Sequence, residues 1–258
     1  VVEHAFALSE AASTPVVLQL RIRACHMKGT FVSSDNVAPA LSARHLVAAP
    51  PPHDPSHMSH PPFTFMHERC KVEERLPAAR RYIVEHGINE IFAPTGADVG
   101  LVVQGGLYNA LMRALAMAGL TDPHAASRLP VLVLNATYPL VPGQLEAFCA
   151  GKRAVLVLEE GHPEFIEFEL ATILARARST CAVHGKAAFA HAGEYGSEVI
   201  VDGLVRFAAE FLPSWPLDSA VAWREELAAT RARARDRRAP RHGAAQGRTR
   251  PGQNATHG

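Results

Sequence analysis

The sequence predicts an α/β fold, a parallel sheet with flanking helices, preceded by the remnant of a second α/β domain. Three observations predict it. Val131–Leu134 and Ala154–Leu158 are unbroken apolar runs of strand length, as expected of strands covered on both faces. Each is followed by a helical segment, and Gln104–Ala118 and 198–212 carry apolar residues at helical spacing. The links between these segments are short, which favours right-handed strand–helix–strand crossovers.

The elements follow in chain order. Residues 1–12 read as the end of an amphipathic helix, with Phe6 and Leu8 on its apolar side, and Ser13-Thr14-Pro15 breaks it. Val16–Ile22 reads as a strand with no neighbour before it, so its exposed edge is expected to invite association and lower solubility. Residues 31–70 hold seven prolines and five histidines and read as a surface connector. A regular rhythm starts near Val72. Residues 73–86 are a helix with Gly87 at its C-terminal cap, and Ile88–Ala93 is a short strand. After a Pro-Thr-Gly turn, Gln104–Ala118 is a helix with Leu107, Leu111, Leu115 and Ala118 on one stripe. Further helices are expected at Gln144–Ala150, His162–Arg178 and 198–212, the last with Val201, Leu204, Val205, Ala208 and Phe211 apolar. Beyond Pro213 the core signal fades. Residues 224–235 suit a solitary charged helix, and 236–258 have a disordered composition.

The totals narrow the function classes. The chain has 258 residues, 48% of them apolar, enough for a sizeable core. A net charge of +1 hides an uneven spread, because residues 223–258 hold nine arginines against three acids. That tail lacks interleaved aromatics, so a nucleic-acid role is not expected. Cys25, Cys70, Cys149 and Cys181 form no CxxC pair, hence no zinc or iron–sulfur framework, and a body of this size holds together with reduced thiols. No apolar run reaches the roughly 18 residues of a membrane span. The chain opens on Val-Val-Glu-His, without a basic leader or an initiator Met. The expectation is a cytoplasmic protein whose start is missing.

Several motifs carry two readings each. The Gly96 turn (Thr95-Gly96-Ala97-Asp98-Val99-Gly100), with Gly105-Gly106 opening a helix, either cradles a coenzyme phosphate or is an ordinary turn and helix start. Glu159 and Glu160 end an apolar strand, where ligands gather in parallel sheets. They contact a cofactor or cap the following helix, whose N-terminus favours negative charge. Arg23 and His26 follow the first strand. Arg suits a substrate carboxylate and His a proton, but a subunit contact serves as well. His53, His57, His60 and His67 lie in the proline-rich connector without supporting carboxylates and read as solvent-facing, so no metal site is expected.

The order of motifs carries a resemblance. Ser13–His26 (STPVVLQLRIRACH) resembles the end of the pyrimidine-binding domain of indolepyruvate:ferredoxin oxidoreductases, and Met27–Ala43 is similar to the connector of the long, fused form. Thr137-Tyr138-Pro139-Leu140, Val155–Gly161 (VLVLEEG), His162–Glu167 (HPEFIE), His184-Gly185-Lys186 and Gly193-Glu194-Tyr195-Gly196 resemble the transketolase-C-terminal-like domain of that family. The similarity covers roughly residues 1–212. It implies four parts: 1–30, the incomplete end of a pyrimidine-binding domain; 31–71, a connector; 72–213, a transketolase-C-terminal-like domain; and 214–258, a basic tail.

It also implies an activity for the whole enzyme. Arylpyruvates are oxidatively decarboxylated to arylacetyl-coenzyme A, with thiamine diphosphate, Mg²⁺ and 4Fe–4S clusters as cofactors and ferredoxin as electron acceptor. The thiamine-activating Glu, the GDG…N metal motif and the cysteine-rich cluster motifs do not occur in this sequence. No cofactor is therefore expected on this chain alone. Its partners would be the remaining domains or subunits, in an assembly expected to be a homo-oligomer when full-length, with no nucleic acid and no membrane. A truncated or frameshifted gene would account for both ends. The alternatives are a stand-alone, non-catalytic α/β interaction module and an arginine-tailed nucleic-acid binder.

Overall fold

A computed structural model describes residues 2–26, 28–33, 35, 58–94 and 97–238. Gly96, His53, His57, most of the proline-rich connector and the end of the tail lie outside the described residues.

The sheet has five strands: β1 (Glu90–Phe92), β2 (Val99–Gln104), β3 (Val131–Leu134), β4 (Ala154–Leu158) and β5 (Ala182–His184). Their order across the sheet is β1-β3-β2-β4-β5. β3, β2, β4 and β5 are parallel, with Leu101 beside Val131 on one side and Leu156 on the other. The sheet is thus mostly parallel. β1 departs from the expectation, pairing antiparallel with β3. The reason is the link of residues 93–98, which is too short for the dozen or so residues that a parallel crossover needs.

Alternation along the central strands divides the core. Val99, Leu101 and Val103, with Leu156 and Leu158, face one side. They pack under α5 (Tyr108–Met117) and α8 (Ser197–Phe211). Val102, Val155 and Val157 face the other side, under α6 (Pro142–Cys149) and α7 (Phe165–Arg176). The stripe Leu107, Leu111, Leu115 and Ala118 is buried as its spacing requires. Each buried leucine or valine contributes about 1.5–3 kcal/mol relative to exposure, so these two faces dominate the fold's stability.

Two strands were not legible. β2 lies where a turn and a helix start were expected. Gly100 interrupts its apolar run, because a Cβ there would press on the Phe148 ring and the Lys152 stem. β5 is only three residues long.

The N-terminal segment also differs from expectation. α1 (Val2–Ala12) packs on α4 (Leu76–Glu85), where His4 Nδ1 lies 3.0 Å from the Tyr82 hydroxyl. Residues 15–21 join no strand and lead into one short turn, α2 (Ile22–Cys25). Val17 stays 89% exposed. The helix expected from residue 73 begins earlier. α3 (Phe63–Cys70) runs through a wider turn at Lys71–Arg75 into α4, so the connector gives way to helix before residue 71.

At the other end, α9 (Asp218–Arg238) is longer than expected and not solitary. Ala220 is fully buried, Trp215, Val221 and Trp223 pack on the same core, and Arg224 and Arg231 pair with Asp202 and Glu198 of α8. Among the described residues, no helix is long and apolar enough to cross a membrane.

Candidate functional site

β2 and β4 are neighbours whose outgoing chains diverge. β2 leads through α5 to β3, whereas β4 leads through α7 to β5 on the other flank and the other face of the sheet. In open parallel sheets a crevice forms at such a point, outside the carboxyl ends of the strands. Gln104 ends β2, and its Oε1 accepts the Glu160 N–H at 2.9 Å, tying the two strand ends together.

Glu160 follows β4 at this strand end, and its carboxylate is engaged from two sides. Its carboxylate accepts Arg21 Nη2 at 2.8 Å and the Tyr195 N–H at 2.8 Å. Arg21 also donates to the Gly106 carbonyl at 3.0 Å and reaches Glu194 at 3.4 Å. One guanidinium, only 24% exposed, thereby joins the N-terminal segment to the ends of β2 and β4.

Behind it lies a buried polar layer. Glu159 is 7% exposed, and both its oxygens accept the Ile166 N–H at 3.0 Å, one of them also accepting Glu167 N–H. It therefore caps α7 with a carboxylate, the second of its two sequence readings. α7 starts at Phe165 rather than His162 because this cap lies there. Lys186 is 5% exposed and donates to the Glu159 carbonyl at 2.9 Å and the Tyr195 hydroxyl at 3.1 Å. Tyr195 donates in turn to the Ala190 carbonyl. Burial, then the charges of Glu160, Glu164, Glu167 and Glu159, push the Tyr195 phenol up to about 12, so it stays a neutral donor. Glu167 accepts the Lys186 N–H at 2.7 Å, and any side chain at Gly185 would collide with that carboxylate.

Arg23 lies within α2 and His26 follows it as an exposed turn residue. Glu160 is at the strand-end site, whereas Glu159 is buried behind it on the N-terminus of α7. Arg21, Lys186 and Tyr195 are the residues that the sequence reading missed as site members. Arg21 read as the end of an apolar run, and nothing local signals its reach. Lys186 was visible only as part of a motif, not as a buried cation.

Among the described residues of this site, the geometry holds charge and hydrogen bonds in place but presents no nucleophile with a base beside it. Cys149 and Cys181 are buried, and burial followed by the neighbouring Cys181 drives the Cys149 thiol up to about 12. Neither is poised as a thiolate.

Indolepyruvate oxidoreductase subunit IorA of Methanothermobacter thermautotrophicus is 32% identical over 185 residues, 71% of this chain and 28% of that protein. The chain is a relative of indolepyruvate oxidoreductase subunit IorA. The same subunit of Methanothermobacter marburgensis is 28% identical over 184 residues, and that of Pyrococcus abyssi 24% over 209. The chain spans under a third of the length of these IorA subunits. Scanned against protein-family models, it matches none. Among solved structures, a 2-oxoglutarate:ferredoxin oxidoreductase from Magnetococcus marinus, with 2-oxoglutarate, coenzyme A and succinyl-CoA bound, aligns with a TM-score of 0.37 and 16% identity. That alignment covers 57% of this chain and 23% of that one.

Proposed function

We propose that this chain is part of an indolepyruvate:ferredoxin oxidoreductase and serves there as the connecting and transketolase-C-terminal-like portion. The observation that carries the reading is the 32% identity to an IorA subunit across 71% of the chain. The whole enzyme would oxidatively decarboxylate arylpyruvates to arylacetyl-coenzyme A and pass electrons to ferredoxin. Thiamine diphosphate would supply the carbanion chemistry when bound to the rest of the enzyme. This chain's own residues do not fit the cofactors. It lacks the GDG…N metal motif, and a 4Fe–4S cage takes four thiolates, whereas two of its four cysteines are buried with raised thiols.

The division into 1–30, 31–71, 72–213 and 214–258 gives each part a role. The first belongs to a preceding domain, and Arg21 latches it to the third at the strand-end crevice. Arg23 and His26, in the turn beside that latch, are the candidates for the substrate's carboxylate. Gly96, Glu159 and Glu160 are the candidates for a coenzyme contact, although Glu159 and Glu160 already hold protein partners.

The test supplies the missing portion in trans. This chain and the remainder of the subunit, with its partner subunit, are purified and mixed, and indolepyruvate-dependent reduction of a viologen dye is followed. The expected result is activity only in the mixture, together with saturable coenzyme A binding in calorimetry. A chain that neither associates nor restores activity is instead the non-catalytic interaction module.

A further inference from the structure

At the rim of the crevice, the loop after β4 and the loop before α8 bring three donors together. His162, Glu164 and His191 each offer one ligand atom, and these atoms all lie within 4.8 Å of one another. His162 Nδ1 is 3.4 Å from a Glu164 oxygen. The two imidazole rings face each other at 6.3 Å with an interplanar angle of 22°. The His162 side chain is 55% exposed, whereas that of Glu164 is only 14% exposed.

We propose that His162, Glu164 and His191 form a binding site for a divalent transition metal of the zinc class. The donor chemistry selects the metal. Two imidazoles and one carboxylate suit zinc, cobalt or nickel, whereas magnesium and calcium prefer all-oxygen shells. The spacing fits as well. Bonds of about 2.0–2.1 Å in a tetrahedral site place ligand atoms roughly 3.3 Å apart, which the His162–Glu164 pair already matches. From separations of up to 4.8 Å, His191 must close by up to about 1.5 Å, which side-chain rotation of an exposed histidine supplies. Three protein ligands leave the fourth position to water.

The consequence is positional. His162 and Glu164 follow β4 directly, while His191 is on the loop that carries Glu194 and Tyr195. A metal here staples the two loops that frame the Arg21–Glu160 latch. The site stands on these residues alone and does not depend on the proposed enzymatic role.

The test is titration of the full chain with Co²⁺, read by the visible ligand-field bands, with Zn²⁺ as competitor. One equivalent per chain is expected, displaced by zinc. H162Q/H191Q should weaken binding by more than about 100-fold, the upper end of what loss of a merely supporting hydrogen bond does. E164Q, which keeps the side chain's shape, should weaken it too. Because the connector histidines offer a rival source of binding, H53Q/H57Q/H60Q is the control and should leave affinity unchanged. Zinc should also slow hydrogen exchange in residues 161–164 and 189–195 of the parent chain. No stoichiometric uptake overturns the proposal. So does binding that survives both H162Q/H191Q and E164Q, or that vanishes in the connector variant.

Discussion

Replacing Arg21 with Ala tests whether one side chain holds the N-terminal segment against the domain. Arg21 makes a 2.8 Å ion pair with Glu160, a 3.0 Å hydrogen bond to the Gly106 carbonyl and a 3.4 Å contact with Glu194. A hydrogen bond to a charged group contributes about 1.5–3 kcal/mol when sheltered, and an exposed ion pair about 0–1. Arg21 and Glu160 are 24% and 22% exposed, which places the latch between these limits. The estimate is about 1–2 kcal/mol, a 5- to 30-fold change in an opening equilibrium. This loss should be local, because Arg21 touches loop ends rather than the apolar core. In native-state hydrogen exchange, R21A should speed the Cys25 amide, which donates to the Arg21 carbonyl at 3.3 Å, by that factor while the amides of β2 and β4 keep their rates. A double-mutant cycle with E160Q should return a coupling of about 1 kcal/mol. Unchanged exchange at Cys25 would show that the contact is not held in solution. Equal acceleration across the sheet would show that Arg21 supports the whole fold rather than a latch.

Two further outcomes are expected. Glu159 caps α7 through both oxygens, so E159Q should lower stability by about 1 kcal/mol and E159A by about 2. Urea midpoints with unchanged slopes measure this, and an unaltered E159A midpoint refutes the cap. The second concerns alkali. Burial and then Cys181 raise the Cys149 thiol from an ordinary 9.0 to about 12. A group whose folded pKa is raised stabilises fully below its unfolded pKa, and that contribution is lost as pH climbs to the folded value. Between pH 9 and 12, the unfolded chain therefore releases a proton that the folded chain keeps, and stability falls by about 1.4 kcal/mol per pH unit for each such group. Tyr195 adds its own loss above pH 10. C149A should flatten the fall between pH 9 and 10, and identical slopes for the two chains would contradict the assignment.

What could be read in the sequence, and what could not, divides along physical lines. β3 and β4 were legible because strands buried on both faces must be continuously apolar. α5 and α8 were legible because a helix covering one sheet face repeats its apolar residues near every 3.6 positions. β2 was hidden by Gly100, a small residue demanded by Phe148 and Lys152 from elsewhere in the chain. The direction of β1 follows from a short link whose meaning appears only once β3 is known to lie between β1 and β2. Of the site, the position of Glu159 and Glu160 was legible because strand ends before helices gather function and caps alike. Arg21 was not, because its partners lie 85, 139 and 173 residues away.

The charge balance of the crevice bears on what it admits. Glu160 and Glu194 line it beside Arg21, with Glu159, Glu167 and Lys186 in the polar layer behind. Arg21 and Lys186 are already engaged, so an incoming phosphate meets a mouth in which acids predominate. A carboxylate can instead accept a ribose hydroxyl, and a cation is welcome at the rim. If coenzyme A touches this face in the assembled enzyme, its hydroxyl and ring groups should do so, with its phosphates held away. Calorimetry at rising ionic strength separates the cases. Affinity that is steady or strengthens with salt supports the acidic mouth, since screening relieves repulsion. Affinity that falls steeply with salt means that phosphates meet cations here, and Arg21 must then leave Glu160 to bind them.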